Sequence, residues 1–162
     1  NIVLDPVMIS TSGHKLLHED AIYTLVNKLL PIVDIVTPNI PEACELSKTN
    51  ISTKEDMITA AKIISRQTNA AILIKGGHMA DCADDLLYTN GEAIWFNKPQ
   101  LNNPNTHGTG CTLSSAIACN LAKGIPLKKS VYLAKEYVYN AIDYGFNIGK
   151  GHGPLYHMFN KF

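Results

Sequence analysis

Short apolar runs and helical stripes alternate along this chain. Ile2-Val3-Leu4 is a β-branched run stopped by Asp5-Pro6, which predicts a buried strand ending at a loop. From His18 to Leu30 the apolar residues Ile22, Leu25, Val26 and Leu29 recur at i, i+3, i+4 and i+7, predicting a helix that Pro31 stops. Ile32–Val36 reads as a second strand closed by Thr37-Pro38, and Pro41 suits the first turn of a short helix carrying Glu42 to Leu46. Thr53 and Asp56 have capping-box spacing before a helix through Ile64, whose buried face is Met57, Ala60, Ala61 and Ile64. Ala71–Lys75 is a third strand, ended by Gly76-Gly77. Two further apolar runs, Leu86–Tyr88 and Ala93–Phe96, flank Asn90-Gly91, a strong hairpin signal. Gly108-Thr109-Gly110 opens a helix with Leu113, Ile117 and Leu121 on one side, closed by Gly124 with Pro126 beyond. A last helix over Leu127–Tyr144 uses Val131, Ala134, Val138, Ala141 and Ile142, and the stretch from Gly149 to Pro154 is loop-like.

Apolar strands separated by helices predict an α/β fold, a mostly parallel sheet flanked by helices on both faces, with a local β-hairpin. The 162 residues suit one domain, and 46% hydrophobic with 17% charged residues exclude overall disorder. Fourteen basic and fourteen acidic residues argue against a dedicated nucleic-acid or anionic-membrane binder. No apolar run approaches the roughly 18–20 residues that span a bilayer, and no stretch reads as a secretion signal. Cys44, Cys82, Cys111 and Cys119 form no C-x-x-C pair, and a reducing, cytoplasmic setting is expected. The chain opens directly on a strand signal at Asn1-Ile2-Val3, without Met, and reads as entered in mid-domain.

The densest chemical signal is Asn105-Thr106-His107-Gly108-Thr109-Gly110-Cys111-Thr112-Leu113. Glycines let main-chain N–H groups converge, and a helix starting there adds unpaired N–H groups and the positive end of its dipole. The expected guest is a phosphate or a phosphoryl group in transfer, with Gly108, Thr109, Gly110 and Cys111 around it and Thr106 and His107 beside it. The helix N-terminus favours a thiolate at Cys111, which would then accept a proton from a substrate hydroxyl. The polar residues Asp5, Asn39, Glu42 and Lys75-Gly76-Gly77 follow predicted strands, and in a parallel sheet those ends share one rim. Asp5 and Glu42 suit Mg²⁺ held through water; Lys75 and Gly77 suit a phosphate. Taken singly, each has a plain structural reading: a turn at Asp5-Pro6, a helix-start acid at Glu42, a solvated Lys75, a small residue at 111. His78 suits a cleft wall or a solvated loop, and Met8 a flat ligand or the core. No G-x-x-x-x-G-K-[ST], early G-x-G-x-x-G or H-E-x-x-H occurs, so a P-loop, a dinucleotide fold and a zinc protease are not supported.

Five segments occur in order: Leu4-Asp5-Pro6-Val7-Met8, Thr37-Pro38-Asn39-Ile40-Pro41-Glu42-Ala43, Lys75-Gly76-Gly77-His78, Thr106 to Ala116, and Gly149 to Leu155. The series resembles the hydroxymethylpyrimidine/phosphomethylpyrimidine kinases, thiamine-pathway enzymes of the ribokinase-like superfamily, over essentially the whole chain. The resemblance implies phosphorylation, by Mg-ATP, of 4-amino-5-hydroxymethyl-2-methylpyrimidine and then of its monophosphate. It implies that Cys111 stands where most of the superfamily has an aspartate base, and that Gly108, Thr109 and Gly110 match the anion hole. By the same resemblance Asn39 and Glu42 match an N-x-x-E element organising Mg²⁺ and phosphate, and Asp5 a strand-end acid near the metal. Lys75 matches a lysine near the nucleotide phosphates, and the adenine is implied near the last helices. Family members carry a further N-terminal portion, so residues 1–162 are expected to be the C-terminal part of a single kinase domain. A homodimer is implied as well.

Three other readings stay open. A pyridoxal or pyridoxine kinase shares the cysteine and the anion loop. A non-catalytic nucleotide-binding fragment fits a chain lacking the family's N-terminal portion. A cysteine hydrolase using Cys111 as nucleophile lacks an evident positioned acid–base pair.

Overall fold

The computed structural model describes residues 1–9, 14–77, 83–145, 148, 150–151 and 153–159. His78, Cys82, Gly149 and His152 therefore lie outside the described residues. The chain forms two compact units, Asn1–Asn97 and Lys98–Phe162.

The first unit is built on five strands in the order β1 (Val3–Leu4), β2 (Ile35–Val36), β3 (Ala71–Ile74), β4 (Asp85–Thr89) and β5 (Glu92–Phe96). The pairings β1–β2 and β2–β3 are parallel, and the hairpin β4–β5 joins through an antiparallel β3–β4 pairing. Asn90 and Gly91 both take positive φ (51° and 82°), the backbone that a two-residue hairpin turn demands. Period-two alternation sends Val36, Ile72, Ile74 and Leu86 into a core with Met57, Ala60, Ala61 and Ile64 of α3 (Lys54–Ile64). Those four α3 residues are the face expected from the sequence, and the Thr53–Asp56 capping box is formed in both directions. Ile35, Leu73 and Leu87 point to the opposite face and are fully buried as well. Met8 is a core residue with no exposed surface.

Two boundaries differ from the sequence reading. The helix expected over His18–Leu30 is a short α1 (Glu19–Thr24), then a π-helical turn over Leu25–Leu29 and a 3₁₀ turn over Leu30–Ile32. The N–H of Leu30 reaches back five residues to the carbonyl of Leu25, one residue further than in an α-helix. That extra residue rotates the stripe, leaving Leu29 exposed while Ile22 stays buried. The second strand begins only at Ile35, because Pro31 draws Leu30–Ile32 into the 3₁₀ turn and leaves Ile32 exposed.

The second unit packs α4 (Thr109–Ala122) against α5 (Leu127–Asp143). Leu113 and Ile117 of α4 and Val131, Ala134 and Ala141 of α5 are buried; Leu121, Val138 and Ile142 are half-buried. Gly124 ends α4 at φ 76°, a conformation that costs glycine nothing. Residues 153–159 are ordered against α5: Leu155 is buried and the N–H of Tyr156 donates to the carbonyl of Ala141 at 3.0 Å. Among the described residues no helix is long and apolar enough to cross a membrane. Cys44, Cys111 and Cys119 are free thiols.

Candidate functional site

In the first unit the carboxyl ends of the three parallel strands bring Asp5, Asn39 and Lys75 together, as expected from the sequence, with Thr37 beside them. The N–H of Thr37 donates to Leu4 O at 2.9 Å and the N–H of Lys75 to Pro38 O at 2.8 Å, so the three chain segments stay in register past the ends of their strands. Asn39 and Lys75 form a further parallel bridge. The Lys75 ammonium lies 2.7 Å from Asp5 Oδ1, with the two side chains only 16% and 14% exposed. Thr37 Oγ1 donates to the same carboxylate oxygen at 3.2 Å. The lysine expected to meet phosphate and the aspartate expected near a metal are thus each other's partners.

Asn39 is the N-cap of α2 (Ile40–Ser47), and Glu42 is its third residue. The two close a capping box: Asn39 Oδ1 accepts from the Glu42 N–H and Glu42 Oε2 accepts from the Asn39 N–H, both at 2.8 Å. Glu42 Oε1 accepts from the N–H of Met8 at 3.2 Å, tying the loop after Asp5 to the helix. Burial of Glu42 pushes its carboxyl above the ordinary range. The Asn39 N–H, the Lys75 ammonium and the Met8 N–H oppose that rise, and the Asp5 charge adds to it.

The donor set fits a hydrated cation and not a closed protein cage. Each Glu42 oxygen already accepts one N–H, and one Asp5 oxygen holds Lys75 and Thr37. The lone pairs that remain suit coordinated waters, the manner in which Mg²⁺ keeps its hydration. Among the described residues no group of three His, Cys, Asp or Glu side chains is placed to hold a metal ion. His14 and His18 are four apart in sequence, but they precede α1, so no helical face aligns them.

The glycine pair after β3 divides its work. A Cβ on Gly76 would lie 1.8 Å from the carbonyl oxygen of Asp84, and the Gly76 N–H donates to Asp85 Oδ1 at 2.9 Å. Gly77, the glycine singled out from the sequence, is exposed with nothing within 4 Å of such an atom. The sequence reading named Gly76 as part of the Lys75-Gly76-Gly77 strand end and Thr37 as closing the second strand, and it passed over Asp85. Gly76 and Thr37 stood beside residues that it did select, whereas Asp85 carried no local signal.

In the second unit Thr106, His107, Gly108, Thr109, Gly110 and Cys111 form one turn into α4. Gly108 is the N-cap at φ 85°, a backbone that only glycine adopts freely. The first α-helical bond is Thr112 N–H to Gly108 O at 2.9 Å, so the N–H groups of Gly110 and Cys111 precede it and point out of the helix end. No side chain caps this helix and no acid stands in its first turn, whereas α2 and α3 close theirs with Glu42 and Asp56. Cys111 is the third helical residue and is exposed. His107 is exposed too, and its N–H donates to Gly153 O at 3.3 Å. Outward N–H groups at a helix N-terminus suit an anion, and the exposed Cys111 thiol stands beside them.

The family model described as phosphomethylpyrimidine kinase matches residues 1–156. A hydroxymethylpyrimidine/phosphomethylpyrimidine kinase of Haemophilus influenzae is 43% identical over 161 residues, 96% of this chain and 60% of that protein. Among solved structures, an ADP complex of Bacillus subtilis pyridoxal kinase is similar at TM-score 0.88 and 34% identity, over 99% of this chain and 60% of that one. A phosphomethylpyrimidine kinase from Clostridium difficile is similar at TM-score 0.73 and 38% identity, over 86% and 56% of the two chains. The chain thus spans about 60% of the length of the Haemophilus relative it matches.

Proposed function

The chain belongs to the phosphomethylpyrimidine kinase family, and from that premise we propose that residues 1–162 are the C-terminal part of a single ribokinase-like kinase domain. The reaction is transfer of the ATP γ-phosphoryl group to the hydroxymethyl oxygen of 4-amino-5-hydroxymethyl-2-methylpyrimidine, and then to the phosphate of its monophosphate. The observation that carries the reading is the turn into α4: its glycine N-cap and outward N–H groups are left without a side-chain cap.

The N–H groups of Gly110 and Cys111 stabilise charge on the equatorial oxygens of the moving phosphoryl group, with Gly108 and Thr109 setting the turn. The substrate oxygen attacks phosphorus, the bond from phosphorus to the β-γ bridging oxygen breaks, and ADP leaves with that electron pair. The hydroxyl proton passes to the Cys111 sulfur. Lys75, one of whose three N–H groups is held by Asp5, would offer the others to nucleotide phosphate; Asn39 and Gly77 lie along the same rim, and Thr106 and His107 flank the turn. Asp5 and Glu42 are the residues that would hold a hydrated Mg²⁺, which when bound would supply neutralisation of charge on the nucleotide phosphates. A cytoplasmic homodimer belongs to the same reading and rests on resemblance.

Assay of ADP formation in the full-length protein tests this, with the pyrimidine alcohol and with pyridoxal as acceptors. Cys111→Ala is expected to lower kcat by about 10²–10⁴-fold while calorimetry still shows ATP binding. Undiminished turnover in that variant removes the base role. The similarity to pyridoxal kinases favours pyridoxal as the second reading, and a higher kcat/KM for pyridoxal establishes it. The same assay and calorimetry on residues 1–162 alone test the nucleotide-binding fragment: ATP binding there without turnover on either acceptor establishes it. Iodoacetamide inactivation that ATP does not slow points instead to a cysteine hydrolase.

A further inference from the structure

Asn105 precedes the anion turn and is 4% exposed, a polar side chain placed in an interior. Its Oδ1 accepts the N–H of Gly153 at 2.9 Å. The carbonyl of Gly153 in turn accepts the N–H of His107 at 3.3 Å, and Pro154 pairs with His107 as a parallel bridge. The turn is therefore gripped on both sides of Thr106 by one residue from the far end of the chain. Closeness of approach makes that residue glycine: a Cβ at 153 would lie 2.2 Å from Asn105 Oδ1 and 2.8 Å from its Cγ. Its φ lies outside the left-handed region, so the Asn105 side chain is what excludes alanine there.

The grip is anchored further on. The Asn105 N–H donates to Asn103 Oδ1 at 2.9 Å, and Asn103 Nδ2 donates to Ile142 O at 2.6 Å near the end of α5. Beyond Gly153, Leu155 is buried and the Tyr156 N–H holds Ala141 O. Tyr137 of α5 stacks on His157 and meets Phe159 at 5.2 Å between ring centres. Both arms of the contact thus run back to one helix.

We propose that Asn105 and Gly153 form a latch by which the C-terminal segment positions the Thr106–Cys111 turn for phosphoryl transfer. Asn105 is a positioning residue: it is buried and acts through the Gly153 main chain on that of His107. The inference rests on the kinase reading of that turn for its consequence in catalysis, but not for its geometry.

A double-mutant cycle in the full-length protein tests it, with Asn105→Ala, Gly153→Ala and the pair together. Removing the Asn105 side chain makes room for the Cβ at 153, so Gly153→Ala is costly in the wild type and nearly silent beside Asn105→Ala. Each single variant is expected to lower kcat by about tenfold to a hundredfold, the scale of a misplacement of about 1 Å. The pair is expected to resemble Asn105→Ala alone within about twofold. Hydrogen exchange read by peptide supplies the readout that general destabilisation does not give: loss of protection is confined to residues 105–112 and 153–156. Effects that multiply in the pair, unchanged exchange over 105–112, or equal loss of protection throughout the chain each overturn the latch. If the kinase reading is what fails, the wild type itself shows no turnover, and the exchange pattern still decides the latch.

Discussion

Gly76→Ala is a sharp test of how the Lys75 end of the rim is built. The added Cβ would sit 1.8 Å from the carbonyl oxygen of Asp84 and 3.0 Å from its carbonyl carbon, both backbone atoms; ordinary contact begins at 3.4 Å, so the two chain segments must part by about 1.5 Å. The Asp84 side resists that movement. Its carboxylate is bound to Lys54 at 2.6 Å, and Lys54 lies over the Trp95 ring at 5.0 Å. Forcing backbone apart in a packed region costs about 1–3 kcal/mol. Parting also breaks the bond from the Gly76 N–H to Asp85, and an unsatisfied buried donor costs about 1–3 kcal/mol more. The sum of about 2–6 kcal/mol is a large part of the 5–15 kcal/mol that holds a typical domain folded. With an urea m-value of about 2 kcal/mol/M, the unfolding midpoint drops by roughly 1–3 M. Gly77→Ala is the internal control, expected within about 0.5 kcal/mol of wild type, because that position is exposed and open. Equal midpoints for the two variants refute the close-approach argument.

Two further predictions concern the same rim. Lys75→Met removes the ammonium from a mostly buried Asp5, and is expected to cost about 1.5–3 kcal/mol, with Asp5→Asn recovering part of it in the double variant; additive losses in thermal unfolding would show that the pair is not coupled. For Glu42 the folded carboxyl is raised above its usual value of 4.5 by burial, so the native state binds the proton more tightly than the unfolded chain. Its contribution to stability is therefore fully present below about pH 4.5 and is lost as pH rises through the raised value. Comparison of wild type with Glu42→Gln across that window isolates it: the difference moves in favour of Gln with rising pH, and a flat difference contradicts the assignment.

Local chemistry is where the sequence was sufficient. Thr53 with Asp56, the Met57-Ala60-Ala61-Ile64 stripe and Asn90-Gly91 act within a few residues of themselves, and each appears in the structure as its spacing required. Gly108 as the opening of α4 belongs with them, since a positive φ at a helix start is a demand on one residue. The grouping of Asp5, Asn39, Glu42 and Lys75 was legible at one remove, because parallel strands with short ends bring their following residues to one edge. What tertiary structure alone decided depends on distance in the chain. The bond of Lys75 to Asp5 spans 70 residues, that of Asn105 to Gly153 spans 48, and the clash reserving position 76 for glycine comes from the backbone of Asp84. Periodicity reports which way a side chain faces, but not which distant backbone it will meet there.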